Sequence, residues 1–207
     1  MKGLLVDYGG VLTSSAVRAF REFEDAHDLP KGTVFELIEE AYQRGSDELI
    51  ARIERGEATV AEFSEEFRDV LAERGIALEV DDVVEDIFGR SHRVPDMWDV
   101  VERAGRAGVR TALVSNSWGT DGYPVTSLEE IFDTLVISGE VGLRKPEPEI
   151  YLLAAERIGV DPTGCAFVDD LPRNVEAARE LGMFGVHHRD TDTTARALED
   201  FFDVDLL

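Results

Sequence analysis

Apolar positions along this chain change texture twice. Residues 3–7 form a short apolar stretch that ends in a carboxylate and runs into Gly9-Gly10, which predicts a buried strand followed by a turn. From Ser14 to His92 the spacing is helical and no run suggests a strand. Val17, Phe20 and Phe23 share a face, as do Val34, Leu37, Ile38 and Ala41, and then Leu49, Ile50 and Ile53. Thr59-Val-Ala-Glu62 reads as a capping box that opens a helix carrying Phe63, Phe67, Val70 and Leu71; Val83, Val84, Ile87 and Phe88 close the helical block. These stripes predict packing surface.

Beyond Pro95 the pattern alternates between helix and strand. Pro95 suits a helix first turn, Trp98, Val101 and Ala104 share one face, and Gly108 suits its C-terminal end. Residues 109–115 then read as a buried strand, 128–132 as a short helix and 135–137 as a second apolar run. A helix over 147–158 stops at Gly159, a strand over 166–168 ends at Asp169, and a helix over 172–181 closes at Gly182. A last strand spans 184–187, and a C-terminal helix follows Thr191. Short apolar strands alternating with helices predict βαβ units, hence an α/β fold with a Rossmann-like parallel sheet covered by helices on both faces. The helical block is an insertion after the first strand, giving a core of residues 1–13 and 93–207 and an all-helical domain of residues 14–92.

Composition narrows the function classes. The net charge of −23 argues against nucleic acid and anionic membranes as partners, since both demand a basic face. Lysine occurs only at Lys2, Lys31 and Lys145, so an anionic substrate would need local cations to overcome the global field. The single cysteine, Cys165, excludes an intramolecular disulfide and any cysteine metal site. No apolar run reaches bilayer length and no basic leader precedes one, which gives the expectation of a cytoplasmic protein; the sequence leaves monomer and homodimer both open.

The candidate chemistry sits where strands end, because open α/β sheets bind ligands at that edge. Asp7 follows the first predicted strand, Ser115 the second, and Asp169-Asp170 the fourth, while Lys145 precedes a helix in an Arg-Lys-Pro segment. Leu4-Leu-Val-Asp-Tyr-Gly-Gly-Val-Leu-Thr13, Val114-Ser-Asn-Ser117, Gly142-Leu-Arg-Lys-Pro-Glu147 and Phe167-Val-Asp-Asp-Leu-Pro-Arg-Asn174 together resemble, in order, the four motifs of the haloacid dehalogenase superfamily. Within it, the first motif and the segment from Glu54 to Phe63 are most similar to the phosphatase-type domain of epoxide hydrolases and to bacterial sugar-phosphate phosphatases. The resemblance implies a Mg²⁺-dependent phosphatase acting on a small phosphorylated metabolite, with the helical insertion as a cap. Asp7 would be the nucleophile, Ser115, Asn116 and Lys145 would bind the phosphoryl group, and Asp7, the Gly9 carbonyl, Asp169 and Asp170 would hold the metal. Asn174 would orient a ligand through a hydrogen bond.

The physical logic is independent of the name. A carboxylate can attack phosphorus and split one displacement into two, but two anions meet only with a cation between them. Mg²⁺ suits a set of hard oxygen donors. Family phosphatases usually place a second aspartate two residues after the nucleophile as general acid and base; here that residue is Gly9. Its loss removes a contribution of typically ~10²–10⁴-fold and favours esters with good leaving groups, such as anomeric sugar, acyl or aryl phosphates. Ser14, Ser15 and Arg18 lie close to this turn in sequence. Two rival readings remain: a phosphate-binding regulatory protein that has lost turnover, and a 2-haloacid dehalogenase, which would need no metal. Trp118 either lines the substrate entrance or covers the core. Arg144 and Arg173 are near enough to steer an anion but are expected in solvent, and His187 and His188 are expected to be packing or surface.

Overall fold

The computed structural model describes residues 1–44, 49–119 and 122–207, without the side chain of Arg44. Five strands, β1 (Gly3–Val6), β2 (Arg110–Ser115), β3 (Thr134–Ile137), β4 (Cys165–Asp169) and β5 (Phe184–His187), form one sheet in the order β3-β2-β1-β4-β5. Every pairing is parallel, with Leu5 opposite Ala112 on one side and Phe167 on the other. Strand pleating sends alternate residues to opposite faces. Leu4 and Val6 therefore join a core with α6 (Pro95–Arg106) and α11 (Thr191–Phe202), whereas Leu5 joins a second core with α9 (Pro148–Ile158) and α10 (Pro172–Glu180). All four residues of β1 are buried, as a central parallel strand requires.

Between β1 and α6 the chain forms α1 (Ala16–Ala26), α2 (Thr33–Arg44), α3 (Leu49–Glu54), α4 (Val60–Glu73) and α5 (Val83–Phe88). Their apolar stripes face one another in a separate cluster that includes Phe20, Phe23, Leu37, Ile50, Phe63, Phe67 and Ile87. The expected capping box forms at α4: Thr59 Oγ1 accepts from the Glu62 N–H and the Glu62 carboxylate accepts from the Thr59 N–H. The chain enters and leaves this block side by side. Ser14 N–H donates to His92 C=O at 2.9 Å, Val94 N–H donates to Leu12 C=O at 2.8 Å, and Thr13 and Arg93 form an antiparallel bridge.

Two elements differ from the sequence reading. The helix expected at 128–132 is α7 (Val125–Glu129), because Pro124 occupies its N-cap and starts the helix earlier; Leu128 and Phe132 are both buried nonetheless. A four-residue helix, α8 (Ser138–Val141), follows β3 directly; its Ser-Gly-Glu-Val sequence is too short to carry a period.

Candidate active site

The C-terminal edge of the sheet gathers the predicted polar residues. Asp7 leaves β1 still held in the sheet, its N–H donating to Val168 C=O at 2.9 Å, and one carboxylate oxygen, Oδ1, accepts from the Tyr8 N–H at 2.7 Å. Asp169 ends the neighbouring strand β4. Lys145, only 1% exposed, reaches between them: its Nζ lies 2.7 Å from Asp7 Oδ1 and 2.8 Å from Asp169 Oδ2. Asp169 is further fixed by donors from the start of α10, the Leu171 N–H at 2.8 Å and Asn174 Nδ2 at 3.1 and 3.0 Å from its two oxygens. Asp170 completes an acidic group in which oxygens of Asp7, Asp169 and Asp170 all lie within 4.8 Å of one another, close enough to share one cation.

The electrostatics are those of a crowded anionic site with one resident counter-charge. Burial pushes the Asp7 carboxyl well above the ordinary carboxylate range; Lys145 opposes that shift, while the charges of Asp169 and Asp170 add to it. Burial, with the neighbouring Asp169 charge, pushes Asp170 up to about 6. Lys145 moves the other way from a normal buried lysine: burial disfavours its charge, but Asp169 and Asp7 more than compensate and raise its pKa above the usual value. Three carboxyl groups crowd around one ammonium, and all the donors they offer are hard oxygens. That donor set fits a small divalent cation.

Motif two supplies the adjacent wall. Ser115 ends β2 with its hydroxyl 2.8 Å from the Tyr123 hydroxyl. Asn116 clamps the lysine backbone from both sides: its Nδ2 donates to Lys145 C=O at 2.9 Å and its Oδ1 accepts from Lys145 N–H at 2.8 Å. The Asn116 carboxamide thus fixes Lys145. Ser117 and Ser138 tie β2 to the start of α8, since Ser117 N–H donates to Ser138 Oγ at 2.8 Å and Gly139 N–H to Ser117 Oγ at 3.0 Å.

The two glycines after Asp7 play different structural parts. Gly10 has φ +78°, and a β-carbon there would stand 2.1 Å from Asp170 Oδ2, so the turn passes against the acidic group only because the residue has no side chain. A β-carbon at Gly9 would meet nothing within 4 Å. The nearby polar residues are committed elsewhere: Ser15 caps α1, Ser14 Oγ accepts from His92 N–H at 3.3 Å, and Arg18 pairs with Glu22. A cleft of about 510 Å³ opens beside the turn, between Gly10, Thr13 to Ser15, Asp170 and the loop from His188 to Thr191. His187 and His188 serve packing as expected; His187 Nε2 bonds Asp170 C=O and buried His188 bonds Thr194.

The expectation for the two arginines is corrected. Arg144 is 7% exposed and its Nε lies 3.2 Å from Glu54 Oε2, a carboxylate only 3% exposed, and the Arg173 guanidinium stacks 3.8 Å from the Tyr42 ring while pairing with Glu39 at 2.7 Å. Arg144 is drawn out of solvent and Arg173 is left half-buried by groups of α2 and α3 that the helical periodicity gave no reason to place here. Glu54 had one sequence signal, its position at the head of the Glu54-Arg-Gly-Glu segment; Tyr42 and Tyr123 had none. Trp118 packs on Phe20, Phe63 and Phe88, covering the helical cluster at its boundary with the sheet domain.

Comparison with known proteins identifies the family. The chain is 29% identical over its whole length to bifunctional epoxide hydrolase 2 of Sus scrofa, of which it covers 40%; it thus spans about two fifths of such relatives. A segment covering 30% of this chain is 40% identical to fructose-1-phosphate phosphatase YqaB of Escherichia coli, covering 33% of that protein. Among solved structures, the HAD family enzyme bt-2542 of Bacteroides thetaiotaomicron, in complex with magnesium and inorganic phosphate, matches with a TM-score of 0.62 and 27% identity over 88% of this chain and 91% of its own. Residues 1–182 match the family described as haloacid dehalogenase-like hydrolase, and the chain belongs to that family of hydrolases.

Proposed function

We propose that the protein is a Mg²⁺-dependent phosphatase that hydrolyses a small phosphate monoester through an aspartyl phosphate on Asp7. The observation that carries this reading is the Lys145 ammonium bridging Asp7 and Asp169 at the edge of an acidic group, a nucleophilic carboxylate with a cation already beside it. The names of relatives support the same chemistry: one is a fructose-1-phosphate phosphatase, and a related structure holds magnesium and inorganic phosphate. The helical block of residues 14–92 would act as a cap over a core of residues 1–13 and 93–207. No described helix is long and apolar enough to cross a membrane, and a net charge of −23 disfavours nucleic acid; we infer a cytoplasmic location and a small phosphorylated metabolite as partner.

In this mechanism a carboxylate oxygen of Asp7 attacks phosphorus as the ester P–O bond breaks, and the leaving oxygen takes a proton from solvent water. Water then attacks the phosphorus of the aspartyl phosphate, releasing phosphate and restoring Asp7. Lys145 and the Ser115 hydroxyl hold the phosphoryl oxygens, and Asn116 keeps Lys145 in place through its backbone. Asp7, Asp170 and the Gly9 carbonyl would hold Mg²⁺, with Asp169 beside it oriented by Asn174; the ion would neutralise charge on the phosphoryl oxygens. Gly9 brings no acid to the leaving group, so good leaving groups are favoured. Gly9 also favours a second reading, a phosphate-binding protein without turnover.

The test is phosphate release from a panel of monoesters, with Mg²⁺ and with EDTA, for the wild type and Asp7→Asn. The reading predicts metal-dependent release that Asp7→Asn abolishes. Tight phosphate binding with no turnover of any ester would establish the second reading instead.

A further inference from the structure

Where the helical insertion meets the sheet domain, directly beside the phosphoryl site, lies a buried polar cluster that the mechanism above does not use. Glu54 ends α3 with one carboxylate oxygen, Oε1, 2.5 Å from the Tyr42 hydroxyl. Its other oxygen, Oε2, accepts no hydrogen bond, and Arg144 Nε, 3.2 Å away, donates none; Arg173 Nε is likewise buried without a partner. The cluster is close to the chemistry by several routes. Arg144 immediately precedes Lys145, the side chains of Asn116 and Trp118 face the Glu54 carboxylate, and Tyr123, bonded to Ser115, feels the charges of both Asp7 and Glu54. The cluster therefore lies beside the residues that would hold the phosphate.

Stability does not explain such a pair. Withdrawing two charges from water costs several kcal/mol per ion, and hydrophobic replacements of buried pairs are often neutral or stabilising. Here the pair is also imperfectly satisfied, because Glu54 Oε2 and Arg144 Nε meet as ions at 3.2 Å without a well-aligned hydrogen bond. A hydroxyl answers both at once, since it donates to the carboxylate and accepts from the guanidinium. A hydrocarbon leaving group would strand both charges, and a carboxylated one would meet Glu54.

We propose that Glu54 and Arg144, flanked by Tyr42 and Trp118, form the leaving-group subsite, and that it selects a polyhydroxylated leaving group such as a sugar. The inference rests on the phosphatase reading and narrows its substrate class. Together with the missing acid at Gly9, which demands a good leaving group, it points to anomeric sugar phosphates in place of acyl or aryl phosphates.

The experiment compares kcat/KM for an anomeric hexose phosphate with that for trifluoroethyl phosphate, whose leaving group is of similar acidity but has no further hydroxyl. A site built to bond a hydroxyl should prefer the sugar ester by at least roughly 10²-fold in the wild type. In Glu54→Leu the ratio should fall to below about 10, with the loss falling on the sugar ester. Where removing one charge leaves Arg144 buried alone and impairs folding, the double variant Glu54→Leu with Arg144→Leu removes both and should give the same collapse. A wild-type ratio near one, or a ratio unchanged in either variant, overturns the subsite while leaving the phosphatase intact. Absence of Mg²⁺-dependent turnover of both esters overturns the phosphatase reading and this inference with it.

Discussion

Replacing Gly9 with aspartate puts a carboxylic acid back where family phosphatases carry one, and the structure allows its effect to be worked out beforehand. The backbone at Gly9 lies outside the left-handed region and a β-carbon there meets open space, in contrast to Gly10 beside it. The backbone change should therefore be unstrained and, by restricting the unfolded chain, worth about 0.4–1 kcal/mol of stability. Against this stands a fourth carboxyl near Asp7, Asp169 and Asp170. That repulsion acts mainly by keeping the new acid protonated, which is the state that donates to a leaving oxygen. The net stability change should stay within about 1–2 kcal/mol. A positioned acid contributes ~10²–10⁴-fold, or about 3–5 kcal/mol of barrier, and only where the leaving oxygen needs a proton. Steady-state kcat/KM with Mg²⁺ should thus rise by at least ~10²-fold for an alkyl phosphate and by far less for p-nitrophenyl phosphate. A folded Gly9→Asp protein that gains nothing on the alkyl ester, or gains equally on both, would refute the assignment of Gly9 as the cause of the missing proton transfer.

Lys145→Met should abolish turnover and, by leaving Asp7 and Asp169 buried without their shared ammonium, destabilise the metal-free protein by about 3–5 kcal/mol in urea unfolding, with part of the loss regained in Mg²⁺. The raised pKa of Asp170 gives a sign for pH: between its ordinary value near 4 and its folded value of about 6, the folded state holds more protons than the unfolded one, so metal-free stability falls as pH rises through that window. Mg²⁺ should then raise the melting temperature more at pH 7.5 than at pH 5, and an equal gain at both would contradict this. Gly56→Ala should cost about 1–3 kcal/mol in chemical denaturation, because the residue has φ +69° and its β-carbon would stand 2.3 Å from Gly139 C=O, where the helical block seats on α8. Tyr123→Phe should alter KM more than stability, since it frees the Ser115 hydroxyl that Tyr123 now holds.

Periodicity carried much of the fold. Fully apolar runs such as residues 4–6 and 112–114 can be satisfied only as buried strands, and the helical stripes from Phe20 to Phe88 found one another as a separate cluster. Where a segment was too short to hold a period, as in α8, or where a proline reset the start, as in α7, the pattern gave no boundary or the wrong one. Asp7, Ser115, Lys145 and the Asp169-Asp170 pair were legible because each stands at the end of a strand or ahead of a helix, so local sequence fixes the edge of the sheet on which it lands. Arg144 and Arg173 were misread for the opposite reason. Nothing adjacent in the chain shows that Glu54 and Tyr42, about 90 to 130 positions earlier, will cover them.

The sequence by itself determined the parallel α/β class, the position of the helical insertion and the residues that deliver charge to one edge of the sheet, because strand and helix periods and turn residues are local properties. Only the tertiary structure decided how that charge is arranged. It placed one ammonium between Asp7 and Asp169, fixed that lysine through the Asn116 carboxamide, and shut a glutamate and an arginine together at the boundary of the two helical and sheet regions. These contacts join residues tens of positions apart, and their energies depend on burial and on the counter-charges that packing brings near, neither of which any single stretch of sequence carries.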